Sequence, residues 1–212
     1  MGSPRIMIHL ACDVPKDHFF LACSGGVDSM VALDFLLRGK RRPNLLYIDH
    51  GTEHGREAKA FVQKRAVELS LAYQIWYTGP RPAHLSVEEH WRNERYALFH
   101  AMKAPVITAH HLDDAVEWWI MSALHGNPRL TPVTNKNVVR PFLFTPKQEL
   151  RDWAERHQVS WIEDPTNATG EHARNVVRHE IMKHALHVNP GLHKTVRKLY
   201  GPLVQLVRTS GS

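Results

Sequence analysis

The run Ser24-Gly25-Gly26-Val27-Asp28-Ser29 concentrates residue types that could hold a phosphate. Two adjacent glycines let the backbone approach a pyrophosphate, and amides at a following helix start point at the anion. Ser24 and Ser29 add hydroxyl donors. Asp28 is the odd member, because a carboxylate repels phosphate unless Mg²⁺ lies between them. The loop therefore reads as a site for a nucleotide with a metal. It is not the lysine-bearing phosphate loop, since no Gly-Lys-Ser/Thr follows. The plainer alternative is a Gly-Gly turn with a Ser or Asp helix cap.

Three further clusters carry chemistry. Ala109-His110-His111-Leu112-Asp113-Asp114-Ala115-Val116-Glu117 places two histidines before a helix and three carboxylates on its first turns. Glu117 follows Asp113 by four and Asp114 by three, so all three can share a face. They suit Mg²⁺ against a triphosphate, or simple capping by Asp113 or Asp114. Zinc fits poorly, with two adjacent histidines and no cysteine partner. Arg92 and Arg95 lie three apart, a spacing that suits phosphate or carboxylate, or an intrahelical pair of Glu88 with Arg92. Glu163-Asp164-Pro165-Thr166-Asn167 reads as a turn. Beyond it, Arg174 and Arg178 are one helical turn apart, spaced to track a nucleic-acid backbone or to pair with Asp164.

These residues need a frame. Residues 18–23, 44–49, 72–78 and 104–109 read as buried strands, and 138–143 as extended. Helical patterns fall at about 28–38, 54–70, 86–103 and 113–124. Alternating strands and helices predict a doubly wound, mostly parallel five-stranded sheet with helices on both faces. Ser24, Asp49-His50-Gly51 and Ala109-His110-His111 all fall just past strand ends, where such sheets bind ligands. Residues 127–138 form a polar loop expected to be mobile over the site. Thr145-Pro146-Lys147-Gln148 predicts a helix start capped by Thr145, with Gln148 completing a capping box and the helix running to about Gln158. Val159–Ile162 is a further candidate strand, and helices follow at about 171–188 and 191–208.

Composition narrows the class. The 212 residues are 43% hydrophobic and 23% charged, ordinary for a soluble globular protein. No apolar stretch approaches a membrane span, and no signal-peptide core opens the chain. Cys12 and Cys23 form neither a CxxC pair nor a disulfide framework, pointing to a reducing cytoplasm. A net charge of +6 with sixteen histidines favours an anionic partner, nucleic acid foremost. A homodimer is left open.

Taken in order, the clusters resemble the N-terminal catalytic domain of the tRNA(Ile)-lysidine synthetase family, within the PP-loop ATP pyrophosphatase superfamily. Ser24 to Ser29 resembles the superfamily's defining loop. Asp49-His50-Gly51, Glu88-x-x-x-Arg92-x-x-Arg95-Tyr96, Ala109-His110-His111-x-Asp113-Asp114-x-x-Glu117, Arg140-Pro141, Glu163-Asp164-Pro165-x-Asn167 and Arg174-Asn175-x-x-Arg178 resemble its narrower motifs. The likeness covers about residues 17–190. It implies the adenine-nucleotide α-hydrolase-like fold, with a catalytic domain over 1–190. Residues 191–212 would be a short helical appendage, or the start of a linker to absent tRNA-binding domains.

The resemblance also implies a reaction. ATP adenylates C2 of the wobble cytidine in a CAU-anticodon tRNA(Ile), free L-lysine displaces AMP, and pyrophosphate leaves. Ser24, Gly25, Gly26, Val27, Asp28, Ser29, Asp49, His50 and His110 are the implied ATP residues. Asp28, Asp113, Asp114 and Glu117 would hold Mg²⁺ and act catalytically, with His111 and Arg92. Arg92, Arg95, Arg140, Arg174 and Arg178 would face RNA or substrate. The alternative is another AMP-forming enzyme of the superfamily, an amidotransferase-type synthetase or a tRNA thiolase. Two departures stand out. Trp118 follows Glu117 where the family carries Thr, putting unusual bulk beside the site. The chain also ends near residue 212, as a catalytic fragment or a minimal enzyme would.

Overall fold

The computed structural model describes residues 7–163 and 173–201. Strand β1 (Phe20–Ala22) leads into helix α1 (Val27–Arg38), and β2 (Asn44–Asp49) into α2 (Glu53–Glu68). Strand β3 (Tyr73–Tyr77) leads into α3 (Val87–Ala101), and β4 (Val106–Ile107) into α4 (Leu112–Leu124). Two short strands, β5 (Thr134–Asn135) and β6 (Val138–Val139), precede a 3₁₀ turn (Pro141–Phe144) and α5 (Lys147–His157). Helix α6 (Ala173–Val176) runs through a π-helical segment (Val177–Ile181) into α7 (Met182–Val188), and α8 (Leu192–Leu199) ends the described chain.

The sheet order is β3-β2-β1-β4-β6-β5. The first five strands are parallel, and β5 pairs antiparallel with β6 across the register Thr134↔Val139. The five expected strands are thus present. The sixth arises inside the 127–138 segment, where the chain folds back on itself. Alternation along β1 sends Phe19, Leu21 and Cys23 toward Leu33 and Leu36 of α1 and Val62 of α2. Phe20 and Ala22 join Leu98 and Phe99 of α3 on the other face. Helices therefore cover both faces, which is why the strands read as apolar runs rather than alternating ones.

Two expectations are corrected. Val159–Ile162 is not a strand. It returns across the Gly-rich loop, where the Ile162 amide donates to the Gly25 carbonyl at 2.9 Å and Trp161 packs on the core. Thr145 does not cap α5, and Gln148 completes no capping box. Pro146 is the N-cap, while the buried Thr145 hydroxyl exchanges hydrogen bonds with the His9 backbone at 2.9 Å. Gln148 instead reaches Asp152. The C-terminal helices pack on α4, with Leu192, Val196 and Tyr200 against Ala115, Val116 and Ile120. Asp164, Pro165 and Asn167 lie outside the described residues, as does Arg208.

Candidate functional site

The parallel strands deliver β1, β2, β4 and β6 to one edge, so the loops that follow them meet there. After β1 the backbone turns at Gly25, whose φ of +86° strains any residue with a Cβ. Gly26 then begins α1 with no side-chain cap bond, so the first-turn amides remain open to an anion. Ser29 is turned inward, its hydroxyl donating to the Gly26 carbonyl at 2.9 Å and lying 3.3 Å from Ser24 Oγ. These contacts fix the loop's shape.

Asp28, on the first turn of α1, faces across to α4 and α5. Its Oδ2 accepts from Lys147 Nζ at 2.8 Å and lies 3.6 Å from His111 Nε2. Burial disfavours its charge, but His111 and Lys147 outweigh that and hold its carboxyl below the usual range. His111 is the N-cap of α4. Its Nδ1 accepts the Asp114 amide at 3.3 Å, and Asp114 Oδ2 accepts the His111 amide at 3.0 Å. The same Asp114 oxygen lies 3.5 Å from His111 Nε2. Burial works against a charged His111, yet Asp114 and Asp28 prevail and raise its pKa.

The other two carboxylates have different occupations. Asp113 Oδ2 accepts the Lys147 amide at 2.7 Å, capping α5 from another helix, and its Oδ1 lies 3.1 Å from His193 Nε2. Its pKa is raised by burial but brought down overall by His193 and that amide. Glu117 is buried and receives Arg178 bidentately, Nε to Oε1 at 2.8 Å and Nη2 to Oε2 at 2.9 Å. Arg178 Nη2 also reaches Asp114 Oδ1 at 3.4 Å. Arg178, expected to face RNA, is thereby directed into the acidic cluster. It sits on the π-helical segment, a kind of distortion common at functional sites. Arg174 lies in α6, with its side chain outside the described set.

The four carboxylates of the expected metal set differ in how far the protein already engages them. Among the described residues no three His, Cys, Asp or Glu side chains are grouped to hold a metal by themselves. Glu117 gives both oxygens to Arg178, and Asp113 is engaged on both of its own. Asp28 Oδ1 is buried without a hydrogen-bond partner. Asp28 and Asp114 remain as a two-carboxylate set. Mg²⁺ is usually held by one or two carboxylates with phosphate oxygens and water, so these residues fit it.

Beyond β2, Asp49 accepts from Lys59 at 2.6 Å and from the Gly51 amide at 2.8 Å. His50 stacks on Trp91 with centroids 4.5 Å apart. A pocket of about 330 Å³ opens there, lined by Asp49, His50, Tyr77, Arg81, His90 and Trp91 among others. His110, past β4, pairs its Nδ1 with Thr108 Oγ1 at 2.8 Å. Arg92 does not pair with Glu88. Its guanidinium lies over the rings of Trp118 and Tyr96 instead. Both cysteines are free. Burial, assisted by Asp13, pushes the Cys12 thiol up to about 11, and burial also raises Cys23.

Lys147 and His193 went unanticipated as members of this site. The signal for Lys147 was its position at the first residue of a helix, where the dipole disfavours a cation unless an acid lies near.

The chain matches the PP-loop domain family over residues 4–185. The tRNA(Ile)-lysidine synthase of Exiguobacterium sibiricum is 30% identical over 200 residues, 87% of this chain and 46% of that protein. That of Pseudomonas fluorescens is 30% identical over 205 residues, 86% and 46%. The chain thus spans under half the length of these curated relatives. Among solved structures, the U34-tRNA thiolase NcsA from Methanococcus maripaludis, described with its [4Fe-4S] cluster, is similar with a TM-score of 0.67. That match covers 88% of this chain and 72% of that one at 18% identity, a likeness of fold.

Proposed function

Because this chain belongs to the PP-loop domain family, we propose that it is an ATP-dependent, AMP-forming ligase that adenylates C2 of the wobble cytidine of a CAU-anticodon tRNA(Ile) and joins L-lysine to it in the cytoplasm. The observation that carries the reading is Asp28, set between an open helix start and His111, with one buried oxygen unpartnered. The names of the relatives support the RNA and the product.

In this reading the open amides of α1 and the Gly25–Gly26 turn receive the pyrophosphate portion of ATP. Lys147, at 2.8 Å from Asp28, adds positive charge beside the leaving group. Asp28 and Asp114 would hold Mg²⁺, which screens phosphate charge during in-line displacement when bound. His111 keeps those two carboxylates on either side of its Nε2. The incoming amine must lose a proton, and the acidic cluster of Asp28 and Asp114 supplies carboxylates that could accept it.

The thiolase alternative requires reactive sulfur. Cys23 is buried and Cys12 is held protonated, both the opposite of an activated thiolate. Pyrophosphate release from MgATP, with CAU-anticodon tRNA and lysine each supplied or withheld, tests the proposal. Release that needs the tRNA, with labelled lysine entering the RNA, is expected. Release without RNA, or ADP formation, would defeat it.

A further inference from the structure

Asp113 ties three helices together, and one of its partners comes from outside the matched domain. The family match ends at residue 185, whereas His193 lies on α8. That helix is firmly seated. Leu192, Val196 and Tyr200 are buried with Ala115, Val116 and Ile120 of α4, and the Tyr200 hydroxyl donates to the Thr131 carbonyl at 2.9 Å. His193, next to Leu192, is therefore carried on a fixed backbone. Its Nε2 lies 3.1 Å from Asp113 Oδ1. An ionised carboxylate only accepts, so the hydrogen in this contact belongs to His193.

The other Asp113 oxygen acts on α5. Oδ2 accepts the Lys147 amide at 2.7 Å. Helix α5 opens on Pro146 with no side-chain cap of its own, so Asp113 serves as its cap from α4. Lys147 is the first residue of α5, where the helix dipole disfavours an ammonium. Its Nζ nonetheless turns to Asp28 Oδ2 at 2.8 Å. A flexible four-carbon stem holds such a position better from an anchored backbone. The contacts thus run without a gap from α8 to the crevice. His193 meets Asp113, Asp113 holds the Lys147 amide, and Lys147 Nζ meets Asp28. Burial raises the Asp113 carboxyl, and His193, ahead of that amide, brings it below the usual range.

We propose that His193 is a positioning residue for the reaction: held by α8, it fixes Asp113, which sets the start of α5 and with it the Lys147 ammonium against Asp28. Outer contacts that orient site residues typically contribute about 10- to 100-fold to affinity or activity. The part that Lys147 and Asp28 play toward ATP rests on the function proposed above.

The test is a double-mutant cycle on the full chain, read by MgATP affinity in calorimetry and by the rate of pyrophosphate release with CAU-anticodon tRNA and lysine. His193→Leu keeps apolar bulk and removes the donor, while His193→Gln keeps a donor at similar reach. Thermal melts verify folding. His193→Leu is expected to weaken MgATP binding about fivefold and to slow release about tenfold, and His193→Gln to recover most of both. In a Lys147→Met background the same His193→Leu change is expected to do almost nothing further, because the two act through one chain of contacts. A loss in release alone supports the proposal if it too disappears without Lys147. Two results overturn it. One is a folded His193→Leu protein with ATP affinity and release both unmoved. The other is a pair of effects, from His193→Leu and Lys147→Met, that simply multiply. Absence of RNA-dependent release in the wild type would defeat the ligase reading and leave the calorimetric cycle to decide the role of His193.

Discussion

The two walls of the crevice carry opposite charge and treat it differently. On the wall formed by α4 and the start of α1, each acid has a nitrogen partner within reach. Asp28 has Lys147, Asp113 has His193, and Asp114 and Glu117 share Arg178. On the α3 wall three guanidiniums crowd Tyr96, and Arg92 and Arg140 have no carboxylate among the described residues. Matched charges bind helices from distant parts of the chain together. Unmatched ones repel one another unless an anion offsets them. Asp28 belongs to both kinds, since one oxygen is paired and the other is buried without a partner.

That dual status gives the largest expected effect. Asp28→Ala should lower RNA-dependent pyrophosphate release by about 10³-fold or more, on the scale of losing a preorganised electrostatic group. Its melting temperature should move little, because Lys147 keeps access to solvent, with its side chain 34% exposed. Retained turnover would place Asp28 with the purely structural acids and remove any role for it toward Mg²⁺.

Stability should separate the walls next. Arg178→Ala removes the bidentate partner of buried Glu117, a change that costs about 3 kcal/mol in comparable settings. Adding Glu117→Gln should recover part of that loss, as read in urea titrations. Arg92→Gln on the opposite wall should leave stability within about 0.5 kcal/mol or raise it slightly. Should Arg178→Ala melt like wild type while RNA affinity falls with a shallower salt slope, Arg178 would belong with the substrate-facing cations and the contrast would fail.

The framework of this contrast was legible in the chain. Apolar runs bounded by Gly and polar residues located the five parallel strands, because strands buried on both faces read that way. The Gly-Gly turn and the His-His-x-Asp-Asp spacing located the crevice, since both depend on local geometry. Pairings across it were not legible. Lys147 meets Asp28 over 119 positions and Arg178 meets Glu117 over 61, so neither is set by helical spacing. Val159–Ile162 looked like a strand because its apolar residues are buried, yet they cover the Gly-rich loop rather than extend the sheet. Thr145 looked like a cap because its type and the Pro146 that follows are right for one. A tertiary contact to His9 took its hydroxyl instead.

The smallest effect concerns His50, which lies where the cationic wall meets the pocket at the ends of β2 and β3. Burial disfavours its charged form, and Arg95 and His90 add repulsion that Asp49 only partly offsets, so its pKa falls to about 4. The stacked Trp91 ring supplies no counter-charge. In the unfolded chain His50 should titrate near the ordinary value of about 6.5. The unfolded state therefore takes up the proton first as pH falls. The stabilisation due to a neutral His50 is complete above about pH 6.5 and is lost on acidification toward 4. Because the ring is partly exposed, the effect should stay under about 1 kcal/mol. Urea midpoints compared at pH 7.5 and pH 5 should fall more for wild type than for His50→Gln. Adding Arg95→Gln should shrink the difference, since it removes the strongest repelling charge on His50. An acid limb of equal depth with and without His50 would mean that the guanidiniums' field does not reach across the pocket, and the cationic wall would then end at Tyr96.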